Sequence, residues 1–120
     1  MIVNNYKDLL IWQKGIKVAK ECYLLTKDFP KEEVYGLTSQ IRRSAVSISS
    51  NIAEGYGRRS TAEYIRFLNI AQGSINELET QLIIAKEVGY CPIERIASII
   101  NQLTEITKML IALIKSLEKK

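Results

Sequence analysis

Residues 61–88 read TAEYIRFLNIAQGSINELETQLIIAKEV, and Tyr64, Leu68, Ala71, Ile75, Leu78, Leu82 and Ala85 recur through them at steps of three and four. That spacing gathers side chains onto one face of an α-helix, here about seven turns long. Ser60-Thr61-Ala62-Glu63 opens the segment as a capping box, the serine bonding forward and the glutamate back, and Gly89 closes it. The same period recurs on both sides. Upstream it runs through Val34, Leu37, Ile41, Ala45, Ile48 and Ile52, and before that through Leu9, Trp12, Ile16, Ala19 and Tyr23. Downstream it runs through Ile96, Ile99, Leu103, Ile106, Leu110, Leu113 and Leu117. Four amphipathic segments predict an all-α fold: one domain over residues 1–120, an antiparallel up-down four-helix bundle with helices at about 8–28, 32–54, 61–88 and 92–118.

The breaks between segments carry their own signals. Asp8 is placed to cap the first helix, and Phe29-Pro30 ends it, because the residue before a proline leaves the helical region. Lys31, Glu32 and Glu33 open the second, with the acids set favourably against its N-terminal dipole. Gly55-Tyr56-Gly57 breaks that helix, with Gly55 suited to a left-handed cap. Pro92 fits the first position of the fourth helix, which runs to a basic tail at Lys119 and Lys120.

A composition of 47% hydrophobic and 25% charged residues is that of an ordinary soluble globular protein. No window approaches about 18 uninterrupted apolar residues, which argues against a membrane span. The polar start from Met1 to Asp8 lacks a signal-peptide core, and Cys22 and Cys91 lie far apart, so two free thiols in a reducing cytoplasm are expected. Without histidine or a close cysteine pair, no zinc site is expected, and no cofactor fingerprint is present.

Two groups of residues need a reason beyond helix formation. The first is basic: Arg42, Arg43, Arg58, Arg59 and Arg66 fall within residues 42–66, where Glu54 and Glu63 are the acids. Such a cluster attracts phosphate backbones, or else it is a solvated helix end with structural ion pairs. The second is a polar stripe on the second helix, Gln40, Arg43, Ser47, Ser50 and Glu54 with Asn51 beside it. The third helix answers it with Gln72, Ser74, Asn76, Glu77, Glu79 and Gln81. Serines and asparagine are poor helix formers, so another role selects them: a groove for a ligand or nucleic acid, or a network fixing register and oligomer state. Facing stripes make a pair between Arg43 and Glu77 or Glu79 the expected core of that network. Leu10, Ile11, Val18 and Leu25 on the first helix and Ile93, Ile100, Ile111 and Ile114 on the fourth lie outside the main stripes. Apolar faces that wide point to self-association.

Catalysis finds no constellation. Glu77 and Glu79 are two apart on a helix and face different sides, and no Ser/His/Asp or Cys/His set exists without histidine. Gly55-Tyr56-Gly57-Arg58-Arg59-Ser60 echoes a phosphate loop but lacks the preceding strand and the lysine; as a helix N-terminus with two arginines it fits a single phosphate. The expectation is a protein that is not an enzyme and has no small-molecule substrate.

The segments Asp8-Leu-Leu-Ile-Trp-Gln-Lys, Tyr35-Gly-Leu-Thr-Ser-Gln-Ile-Arg-Arg-Ser-Ala-Val-Ser-Ile, Ser50-Asn-Ile-Ala-Glu-Gly-Tyr-Gly-Arg and Gly73-Ser-Ile-Asn-Glu-Leu-Glu-Thr-Gln-Leu resemble a bacterial four-helix bundle family, the 23S ribosomal RNA intervening-sequence proteins. The resemblance spans about Tyr6 to Leu117. It implies a homopentameric ring, genes lying in insertions within large-subunit rRNA genes, and no established enzymatic activity. A more distant likeness is to the accessory protein of diversity-generating retroelements, which implies a basic surface for nucleic acid and for a reverse transcriptase. The chain departs from the family's commonest wording at Gly15, where alanine is frequent, and at Ser49, where proline is frequent. The leading expectation is therefore a non-catalytic homo-oligomer that binds RNA electrostatically through Arg42, Arg58, Arg59 and Arg66. The alternative is a protein–protein adaptor, such as an accessory subunit for a reverse transcriptase.

Overall fold

The computed structural model describes residues 4–119 as four α-helices and two 3-10 turns, with no strand among them. The helices are α1 (Leu10–Thr26), α2 (Leu37–Tyr56), α3 (Thr61–Glu87) and α4 (Ile93–Glu118). Each packs on its neighbour in sequence, and α1 closes the square against α4. Cross-helix bonds run antiparallel: Lys14 pairs with Glu105 while Glu21 accepts from Gln102, and Ser44 meets Glu77 while Ser47 meets Ser74. Short loops leave this up-down order as the simple solution.

The α3 seam is as expected, with Leu68, Ala71, Ile75, Leu78, Leu82 and Ala85 all buried and Tyr64 packed against them. In α4, Ile96, Ile99, Leu103, Ile106 and Leu110 are buried, while Leu113 and Leu117 are partly covered. On α2, Ile41, Ala45, Ile48 and Ile52 are buried, but Val34 lies before the helix and is exposed.

In α1 the burying face is not the expected one. Ile11, Gly15, Val18, Cys22 and Leu25 turn inward, whereas Ile16 and Tyr23 of the expected stripe are exposed. Gly15 explains the rotation. A Cβ there would overlap Ser49 Oγ, so the glycine lets α1 lie directly on α2, and Ser49 Oγ donates to the Trp12 carbonyl at 3.0 Å. The two positions that depart from the family's commonest wording thus touch each other.

The helix ends differ in detail. Asp8 does not cap α1; it closes a capping box with Asn5 around a 3-10 turn, Tyr6–Asp8, and Leu9 precedes α1 without a side-chain cap. Lys31–Glu33 form a second 3-10 turn rather than the start of α2. Gly55 lies inside α2 with Gly57 ending it, and neither has a positive φ; Gly89, φ +85°, is the left-handed residue among those described. Ser60 caps α3 by accepting from the Glu63 amide, but Glu63 sends its carboxylate to Arg66 instead of back. Pro92 is the N-cap of α4 rather than its first residue, so the helix begins one residue later than expected, and Lys120 of the expected basic tail lies outside the described residues.

Gly36, the N-cap of α2, has no side chain to offer, and Glu33 supplies the missing acceptor. Its Oε1 accepts from the Leu37 amide at 2.9 Å, and its Oε2 from the Tyr90 hydroxyl at 2.6 Å. The Tyr90 bond, then the Leu37 bond, holds the carboxyl below the ordinary glutamate range. A depressed folded-state pKa contributes stability above the unfolded value, lost as pH falls through the folded one. Glu33→Gln is therefore expected to lower the melting temperature at neutral pH, with the gap from wild type closing in acid below about pH 4. Thermal unfolding at several pH values checks this; a gap that persists in acid would tie the loss to something other than the charge.

By length and composition α4 alone among the described helices could cross a membrane: its best 18-residue window has mean hydropathy 1.3 and is 28% buried. Glu105 and Lys108 interrupt its apolar residues, so no uninterrupted run exists, and those residues form two seams. One faces the core. The other, Ile93 and Ile111 about five turns apart, is about half exposed and flanks the α3 side, where Gln72 Nε2 donates to Thr107 Oγ1 at 3.2 Å; Ile100 and Ile114, expected on the same outer face, pack partly against the core instead.

Candidate nucleic-acid interface

The arginines expected to form one cluster divide between two places. Arg42 sits on α2 facing the C-terminal turn of α1, and Arg58, Arg59 and Arg66 occupy the corner where α2 passes into α3. Fourteen residues of helix from Arg42 to Tyr56 separate the groups by about 21 Å.

At the corner, the Arg58 and Arg66 guanidinium groups lie 4.7 and 4.6 Å from the centre of the Phe67 ring. Each also meets a carboxylate: Arg58 with Glu54 at 3.4 Å and Arg66 with Glu63 at 3.0 Å. Arg59 is exposed. Three cations against two carboxylates leave the corner with a local charge of +1, so its pull on phosphate is weak. The ion pairs are solvent-exposed and add little stability.

The α2 face is different. Arg42 Nε donates to Thr26 Oγ1 at 2.9 Å, and its guanidinium lies 4.6 Å from the Tyr23 ring centre. Held from two sides, it lines a groove of about 550 Å³ with Arg43, Thr38, Ser39 and the apolar Val34 and Val46. A second depression of about 490 Å³ shares Arg42, Thr38 and Val34 and adds Lys27 and Lys31. No carboxylate lines either one. Four cations with hydroxyl donors and no facing acid make the stronger anion-binding surface. Neither Lys27 nor Lys31 stands out in the sequence as a member of the basic cluster, because only the antiparallel return of α2 brings them beside Arg42.

The polar stripes do meet, through smaller residues than expected. Ser44 Oγ donates to Glu77 Oε1 at 3.0 Å, Ser74 Oγ to Ser47 Oγ at 2.9 Å, and Asn51 Nδ2 to the Ser47 carbonyl and hydroxyl. Arg43 pairs with neither Glu77 nor Glu79 among the described residues; it is exposed, and Glu77 takes its bond from Ser44. The physical reason is reach: the serine already sits in the seam, while the arginine lies at its rim. Glu54 is engaged by Arg58, and Glu79, seven residues after Gln72, falls on the α4 side. Gln40 lines a cleft of about 340 Å³ with Arg43, Ser44, Ser47, Glu77 and Gln81.

The two thiols are free and buried. Burial, with Glu21 adding to it, pushes the Cys22 pKa up to about 12, and burial raises Cys91 against the opposing charge of Arg95. Neither thiol is activated as a nucleophile. No three His, Cys, Asp or Glu side chains among the described residues come together as a metal site.

The family model described as 23S rRNA-intervening sequence protein matches residues 7–112. A crystal structure from Bacteroides thetaiotaomicron, of a protein with unknown function from the S23 ribosomal protein family, is similar at 33% identity and a TM-score of 0.79. The match covers 88% of this chain and 99% of that one. No functionally curated protein matches.

Proposed function

This chain belongs to the family of 23S rRNA-intervening sequence proteins, and from that premise we propose that it is a non-catalytic, self-associating cytoplasmic protein that binds RNA through charge. The observation that carries the reading is the carboxylate-free groove on α2, where Arg42 and Arg43 are joined by Lys27 and Lys31. Surfaces of this kind gain affinity by releasing counterions from phosphates, so binding falls steeply with salt. Arg58, Arg59 and Arg66 supply a second, weaker contact, in which the Arg58 and Arg66 guanidinium groups are held over the Phe67 ring.

Self-association in this reading, including the pentameric ring expected from the family resemblance, uses the outward seam of α4. Glu105 and Lys108 stand at the middle of that helix, where a bilayer would tolerate them least, and Glu105 is already paired with Lys14. A second protein copy covers such a seam at lower cost than lipid.

Replacing Arg42 and Arg43 together by glutamine is expected to weaken binding to a single-stranded RNA. The slope of log affinity against log salt is expected to fall by about 0.7 for each lost phosphate contact. Fluorescence anisotropy over a salt series measures both. Neutralising Arg58 and Arg59 is expected to have the smaller effect. An unaltered slope in the Arg42/Arg43 variant would remove the groove from the reading, and capture of a reverse transcriptase without RNA would favour the adaptor.

A further inference from the structure

The cleft between α2 and α3 holds an unmet demand. Gln81 is 7% exposed, and its Oε1 has no hydrogen-bond partner among the described residues. Leaving a buried acceptor unsatisfied is costly, so a residue kept there needs a donor from elsewhere. Beside it, Glu77 has one carboxylate oxygen bonded to Ser44, with the rest of its acceptor capacity open. Across the same cleft stand Arg43 and Gln40, which bring donors. At about 340 Å³ the space lies within the range of small-ligand sites, about 300–1,000 Å³. Arg43 and Ser47 also line the cationic groove, so the two compartments share a wall.

We infer that this cleft is a base pocket selecting guanine in single-stranded RNA, with the adjoining phosphate on Arg42 and Arg43. The inference rests on the RNA-binding reading above and adds a specificity that charge alone does not provide. Guanine presents two neighbouring donors, N1–H and the N2 amine, next to the O6 acceptor. Uracil, adenine and cytosine lack that order of groups. A carboxylate takes the N1–H and one N2 hydrogen together, the Gln81 oxygen takes the other, and Arg43 or Gln40 donates to O6. Unstacked bases in single strands are read on this edge. The Arg42 and Arg43 cations next door supply the phosphate contact that brings the nucleotide in.

The test compares uridine oligomers of equal length carrying one central guanosine, inosine or uridine, by anisotropy at fixed salt. The wild-type protein is expected to bind the guanosine RNA about tenfold more tightly than the uridine RNA, with inosine, which lacks only the N2 amine, in between. Glu77→Gln keeps an acceptor for Ser44 and is expected to bring guanosine and uridine RNA to equal affinity. Gln81→Leu is expected to narrow the ratio while raising the melting temperature, since it removes an unsatisfied buried group. Equal binding of all three RNAs by the wild-type protein overturns this inference and leaves the charge-based reading standing. Binding to none of them overturns the RNA reading and this one with it. If Glu77→Gln alters the mass of the native assembly but not the base preference, the cleft belongs to a contact between copies and the inference fails.

Discussion

Replacing Gly55 with valine is expected to lower the melting temperature by roughly 10 °C, corresponding to about 3 kcal/mol of lost stability. Helix propensity alone predicts the opposite sign, since glycine in a helix interior costs about 1 kcal/mol relative to alanine. Packing reverses it. A Cβ at residue 55 would stand 2.7 Å from Phe67 Cβ and 3.2 Å from the Tyr64 carbonyl oxygen. Neither atom is the free end of a side chain, so the added carbon forces α2 and α3 apart where the chain turns between them. The displacement would also disturb Phe67 beneath the Arg58 and Arg66 guanidinium groups. Gly57 serves as the control: its nearest neighbours lie at 3.7 and 3.9 Å, and its φ of −80° suits any residue. Calorimetry of Gly55→Val beside Gly57→Ala separates the two explanations. A Gly55→Val protein that melts with the wild type would show that α2 and α3 do not need this close approach.

Native mass measurement is expected to find the wild-type chain in multiples of 13.7 kDa, and the double variant Ile93→Asp/Ile111→Asp as single copies at every concentration. Ile93 and Ile111 are 50% and 46% exposed, so the changes do not touch the core of one bundle. Ile83, 44% exposed on α3, stands three turns beyond Gln72 and extends the same apolar face. Covering the exposed half of each isoleucine is worth about 1 kcal/mol per copy, a gain summed over every copy in a closed assembly. An aspartate there loses that gain and adds the cost of burying a charge without a partner. Retained helicity with a mass of one chain is the expected outcome. A wild-type protein that stays a single chain at high concentration would instead leave this seam without the role given to it.

The helix count, the α3 seam residue by residue, the α4 core seam and the serine cap at Ser60 all follow from local pattern. Each depends on neighbours within a turn or two, and a 3.6-residue period states which side chains share a face. The α1 face could not be read that way. Leucine, isoleucine, valine and aromatic residues lie most of the way round that helix, and the side that turned inward was settled by Gly15 against Ser49 on α2. The breaks at Phe29-Pro30 and at residues 55–57 were legible, but residues 31–36 read as α-helix and are not, and the geometry at both places followed long-range partners. Glu33 reaches Tyr90 from far along the chain, and Gly55 stays helical because α3 packs on it.

The candidate surface divides in the same manner. Arginines close in sequence proved to lie about 21 Å apart along a helix, while Lys27 and Lys31 joined Arg42 across a chain reversal. The facing polar stripes were visible as stripes, yet Ser44 rather than Arg43 met Glu77, and Gln81 was left with an open acceptor. Periodicity along one helix is a short-range property carried by each segment's own residues. Which side chains meet between helices depends on rotation and axial shift, and those are fixed jointly by contacts that all four helices make at once.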